Sequence, residues 1–130
     1  MKKILVVSAE YYPEISIGLK ETLKKSLTNY DVEYFVVPGV FEIPSVISKY
    51  AEKYDGFIAL GCVIKGETPH FDLISRSVID GLMNMSIKHK KPIGNAILTC
   101  LNKSQALTRI NKSKEASDAV KQVLENDPKK

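Results

Sequence analysis

The chain predicts an α/β fold: a four-stranded parallel sheet in the flavodoxin-like order 2-1-3-4, with helices on both faces as a three-layer αβα arrangement. Three observations lead there. Four short apolar runs alternate with segments of helical periodicity, so the order reads β-α-β-α-β-α-β-α. The first of these runs is continuously apolar, as strands buried on both faces of a parallel sheet require. Right-handed crossovers then leave few topologies.

Each element has its own justification. Ile4 to Val7 is an unbroken apolar strand, and Ser8 to Pro13 is a loop. From Ile15 a helix follows, with Ile15, Leu19, Leu23 and Leu27 spaced by four, and Asn29-Tyr30-Asp31 breaks it. Val32 to Val37 is the second strand, ended by Pro38-Gly39. A short helix runs from about Pro44 to Glu52, with Val46, Ile47 and Tyr50 inward. Asp55 to Cys62 is the third strand. The helix from Pro69 to about His89 carries Phe71, Ile74, Val78, Leu82 and Met85 on one face. Pro92 to Thr99 is the fourth strand, and Ser104 to Ile110 and Ser113 to Leu124 are helices split near Asn111. The tail after Asn126 should fray.

The 130 residues suffice for one domain with a core, taken as 1–130, and no internal repeat or linker interrupts them. No apolar run is long enough to span a membrane, and Ile4 to Val7 is too short for a signal h-region, so a cytoplasmic protein is expected. The two cysteines, Cys62 and Cys100, fall at ends of buried strands and should be free thiols. Without a Cys/His cluster, no metal site is expected. The net charge is +4. Its lysines are dispersed along helix faces (Lys20, Lys24, Lys25; Lys88, Lys90, Lys91) and at Lys129-Lys130, with no basic aromatic motif, so a nucleic-acid partner is not expected.

Ligands of such sheets bind outside the carboxyl ends of the strands. The unusual residues collect there: Ser8 to Tyr12, Pro38 to Glu42, Val63 to His70, and Thr99 onward. Gly61 to Asp72 is the most informative stretch, reading as strand, glycine-bearing loop and helix start. Thr68 suits the N-cap and Pro69 the first helical position, which puts His70 in the first turn. Free N–H groups and the helix dipole there favour an anion. A histidine beside an anion site suits acid–base work on a phosphorylated substrate. His89, at a polar helix end among lysines, reads as surface.

These rim segments resemble the lumazine synthase family. Val37-Pro38-Gly39-Val40-Phe41-Glu42-Ile43-Pro44 is similar to its first signature, Gly61 to Asp72 to its second, and Gln105-Ala106-Leu107 with Arg109 to its third. The similarity runs from Ile4 to about Leu124. It implies condensation of 5-amino-6-(D-ribitylamino)uracil with 3,4-dihydroxy-2-butanone 4-phosphate to 6,7-dimethyl-8-ribityllumazine, with no metal or organic cofactor. It also implies a homo-oligomer, a pentamer or a multiple of five, with active sites between subunits.

The resemblance assigns roles residue by residue. His70 is the acid–base group. Gly66, Glu67 and Thr68 form the phosphate loop, Glu67 through its backbone N–H. Arg109 binds the phosphate from the neighbouring subunit; as an isolated residue it would read as a solvated helix arginine. Tyr11 stacks on the pyrimidine, or is a core tyrosine. Phe41 and Ile43 offer backbone contacts. Glu42 accepts ribityl hydroxyls, or is a helix-start charge. Val63 and Ile64 border the uracil through backbone groups, or are simply core, and Val40 and Lys65 belong to the segments that bind the uracil and ribityl parts. Lys114 aligns with a lysine near the substrate.

Three departures from the family stand out. Glu10 replaces a frequent arginine and reverses the local charge. Asn95 replaces a phenylalanine that many members present to the neighbour's ring, so the pocket loses a stacking face or gains a hydrogen bond. Ile110 to Lys114 is shorter than usual and lacks the kink of capsid-forming members, which with the short N-terminal segment favours a free pentamer or a pair of stacked rings. An archaeal-type riboflavin synthase and a non-catalytic flavin- or lumazine-binding scaffold are the alternatives. A nucleotide-binding module lacks its glycine motif here.

Overall fold

A computed structural model describes residues 1–128; Lys129 and Lys130 lie outside the described residues. The elements are β1 (Lys3–Ala9), α1 (Pro13–Ser26), β2 (Asp31–Val37), a one-turn 3-10 helix (Val40–Glu42), α2 (Ile43–Tyr50), β3 (Gly56–Ile64), α3 (His70–His89), β4 (Ile93–Cys100), α4 (Lys103–Thr108) and α5 (Lys112–Glu125). The strands are all parallel, in the order β2-β1-β3-β4. The expected order 2-1-3-4 is therefore observed.

Two apolar layers follow from strand alternation, because successive side chains point to opposite faces. On one face Ile4, Val6, Ile58, Leu60, Ala96 and Leu98 pack with Ile15, Leu19 and Leu23 of α1 and Val120 of α5. On the other Leu5, Val7, Phe57, Ala59 and Ile97 pack with Ile43 and Ile47 of α2 and Val78 and Leu82 of α3. Helices α1 and α5 thus cover one side, α2 and α3 the other. Gly94 makes room for α5: a Cβ there would lie 2.7 Å from the Ala116 carbonyl oxygen.

The boundaries depart from expectation where the rim is built. Helix α1 begins at Pro13 rather than Ile15, because Pro13 occupies a first-turn position and the Tyr12 carbonyl accepts the N–H groups of both Ile15 and Ser16 at 3.1 Å. Strand β3 runs on to Ile64, so Val63 and Ile64 are strand rather than loop, paired in register with Thr99 and Cys100. The alternation persists, with Cys62 in the first layer and Val63 in the second. Helix α3 starts at His70 with Pro69 as its flanking residue and no side-chain cap, so Thr68 is not the N-cap. Pro69 has ψ near 6°, outside the helical range, while its carbonyl accepts the Leu73 N–H at 3.2 Å. His89 is not a free surface group either. Its side chain is 17% exposed and Nδ1 lies 3.8 Å from Glu52 Oε1.

Candidate active site

The carboxyl ends of β1, β2 and β3 open into a cleft of about 640 Å³. Tyr11 and Tyr12 bound it from the turn after β1. Gly39, Val40 and Phe41 bound it from the turn after β2. Cys62, Val63 and Ile64 form its floor, and Gly66, Thr68, His70, Phe71 and Ile74 close the side nearest α3. Eight residues singled out in the sequence therefore meet here: Tyr11, Val40, Phe41, Val63, Ile64, Gly66, Thr68 and His70.

Each is positioned by local chemistry. The chain after β2 turns at Gly39, whose N–H donates to Glu42 Oε1 at 3.0 Å, while its carbonyl accepts the Glu42 N–H at 3.3 Å. This closes the 3-10 turn and leaves Phe41 64% exposed at its tip. Glu42 is thus engaged with its own turn and does not line the cleft. Gly61 lets that turn sit on β3, since a Cβ there would come within 2.6 Å of Val40 Cγ1. Ile43 is fully buried in the core beneath. Lys65 and Glu67 are exposed in the loop between β3 and α3, and the Lys65 N–H donates to the Cys100 carbonyl at 2.9 Å. His70 opens α3 at the free N–H groups of its first turn.

Asn95, Arg109 and Lys114 lie elsewhere. They line a second cleft of about 520 Å³ along β4, an edge strand, bounded by Ile79 of α3 and by the α4–α5 junction. Asn95 Oδ1 accepts the Ile97 N–H at 3.0 Å. Arg109 is exposed, with Nη1 3.9 Å from Cys100 Sγ. Lys114 Nζ donates to Asp118 Oδ2 at 2.8 Å, and that hydrogen bond pushes the ammonium pKa up. With Lys112 also in its wall, the second cleft sets three cations, Arg109, Lys112 and Lys114, against one carboxylate, Glu115, a balance that favours an anion.

Tyr12, Gly39, Cys62, Phe71 and Ile74 also line the first cleft; Tyr12 and Gly39 fall in rim segments legible in the sequence, but none of the five was given a ligand role there. Cys62 and Cys100 are free and buried. Burial pushes the Cys62 thiol up to about 12, and the neighbouring Cys100 adds to it, so Cys62 is an apolar wall rather than a nucleophile. Among the described residues, no group of three or more His, Cys, Asp or Glu side chains could hold a metal ion. Nor is any described helix long and apolar enough to cross a membrane.

Comparison with known proteins matches the sequence of this chain to a family. A family model described as 6,7-dimethyl-8-ribityllumazine synthase matches residues 1–126. Relatives carrying that name include one from Bartonella bacilliformis, 43% identical over 115 residues, covering 82% of this chain and 74% of its own. One from Agrobacterium fabrum is 40% identical over 119 residues, covering 85% and 80%. One from Sulfurimonas denitrificans is 37% identical over 136 residues, covering 95% and 88%.

Proposed function

The chain belongs to the 6,7-dimethyl-8-ribityllumazine synthase family, the transferases of riboflavin biosynthesis, and we propose that it condenses 5-amino-6-(D-ribitylamino)uracil with 3,4-dihydroxy-2-butanone 4-phosphate. The observation that carries the reading is the meeting, in one cleft, of Tyr11, the Val40-Phe41 turn, the Val63-Ile64 strand end and the Gly66–His70 segment. A flat pyrimidine stacks on Tyr11, its edge against the backbone of Val63, Ile64 and Phe41. The ribityl chain runs along the Val40-Phe41 turn, beyond which Glu42, held on Gly39 outside the cleft, would have to turn to accept its hydroxyls. The phosphate sits at Gly66 to Thr68, where the glycine admits close backbone approach and the start of α3 favours an anion.

The uracil's free amine attacks the ketone and water leaves as an imine forms. Phosphate is then eliminated. The ribityl-bearing nitrogen closes the ring with loss of a second water. Each stage moves a proton at nitrogen or carbon, which is the work given to His70. Much of the acceleration is proximity, since two reactive partners are held together. No cofactor takes part.

In this reading Arg109, Asn95 and Lys114 complete the site from a neighbouring subunit of a pentameric ring in the cytoplasm. Two features support an assembly. The cations of the second cleft stand apart from His70 within the one chain. The outer face of α3 also leaves Leu73, Met83 and Ile87 more than half exposed.

The test is turnover of both substrates, followed by lumazine absorbance against an enzyme-free blank. A rate above the blank, lowered but not abolished in His70→Ala, is expected. A folded protein no faster than the blank would sink the assignment. Riboflavin formed from lumazine alone would favour a riboflavin synthase instead.

A further inference from the structure

The turn between β1 and α1 carries a lock that the proposed chemistry does not use. Tyr11 is 72% exposed at the cleft mouth, supported edge-on by Tyr12 with ring centroids 4.9 Å apart. The backbone on either side is tied down: the Glu10 N–H donates to the Val37 carbonyl at 3.0 Å, and the Tyr12 carbonyl caps α1. Between these ties, the Glu10 side chain turns from the cleft onto α1. There its two carboxylate oxygens accept from Ser16 Oγ and Lys20 Nζ. The Glu10 and Lys20 side chains are only 26% and 22% exposed. Burial pushes the Glu10 carboxyl up, yet the hydrogen bonds from Lys20 and Ser16 outweigh it and hold its pKa below the ordinary carboxylate range. The carboxylate is therefore ionised and compensated.

We propose that Glu10, held by Lys20 and Ser16, is a positioning residue that fixes the Tyr11 ring as the stacking face for the pyrimidine substrate. The proposal rests on the stacking role given to Tyr11 above. Glu10 immediately precedes Tyr11, so rotation of its backbone moves that ring directly. A half-buried carboxylate stripped of its cation is costly, and the nearest relief is to swing out toward water. That movement would loosen the turn.

Three variants test it: Lys20→Met, which keeps an alkyl stem, Glu10→Gln, and the two together, which strands no charge. Lys20→Met is expected to raise KM for the ribitylaminouracil about fivefold, with kcat and KM for the ketone phosphate changed less than about twofold. The double variant should recover most of that loss. A second readout needs no turnover. With 3-fluorotyrosine incorporated, and the Tyr11 resonance assigned by Tyr11→Phe, that resonance should shift or broaden in Lys20→Met and return in the double variant. An unchanged resonance, or both KM values rising together, would overturn the proposal. Wild-type protein without turnover would remove the proposed reaction, and the fluorine spectra would still decide whether Glu10 and Lys20 hold Tyr11.

Discussion

His70 and Cys62 line the same cleft with opposite prospects. His70 is exposed to solvent at a helix start. Cys62 is buried, and its thiol is held as the neutral form up to about 12. The sign of the consequence follows from linkage. Between the ordinary thiol value of 9.0 and about 12, the unfolded chain releases the Cys62 proton and the native state keeps it, so stability falls as pH rises. Half-buried tyrosines such as Tyr12, whose pKa desolvation also raises, act in the same sense. The expected result is a lower urea midpoint at about pH 10 than at about pH 8, with the drop reduced in Cys62→Ala. Equal drops in both proteins would show that the thiol titrates normally. The sequence made His70 legible because its neighbours form a dense motif. Phe71 and Ile74 stayed hidden because nothing local says which side of a buried-looking aromatic or aliphatic residue meets a cleft.

At the level of elements, the hydrophobic runs made all four strands and five α-helices visible, and the errors fell at the ends, where the site is. The strand expected to end at Cys62 continues through Val63 and Ile64, which pair with Thr99 and Cys100 where the glycine-bearing loop looked to have begun. Thr68-Pro69 looked like a cap and a first helical residue, whereas Pro69 is the flanking residue and α3 begins one position later. The 3-10 turn at Val40–Glu42 went unread because a single turn carries no periodicity. It is closed by Glu42 on Gly39 and seated on β3 by the absence of a side chain at Gly61. Gly61→Ala would drive a methyl into Val40 and force the turn off the strand. The expected cost is about 1–3 kcal/mol by urea denaturation. With it should come weaker binding of the uracil substrate, because Phe41 moves with Val40. A variant of wild-type stability would mean that the turn gives way freely.

At the scale of the whole molecule, the sheet order was legible because parallel connectivity restricts it, whereas an assembly entered only as an implication of the family resemblance, since hydrophobic periodicity reports burial within a chain and not between chains. His70 and Arg109 line separate clefts, one at the carboxyl ends of β1 to β3 and one along the β4 edge. If one subunit's first cleft meets its neighbour's second, contact is head-to-tail and closes into a ring. Subunits of His70→Ala and Arg109→Ala can be mixed by co-expression in equal amounts. Every site in either pure assembly is defective. In a random ring each site draws His70 from one subunit and Arg109 from the next, so about a quarter of the sites contain both. At limiting ketone phosphate the mixed assembly should therefore exceed the average of its parents, by up to about a quarter of the wild-type rate. Were each site built within one subunit, mixing would give only the average of the two parents, and the shared-site reading would fail.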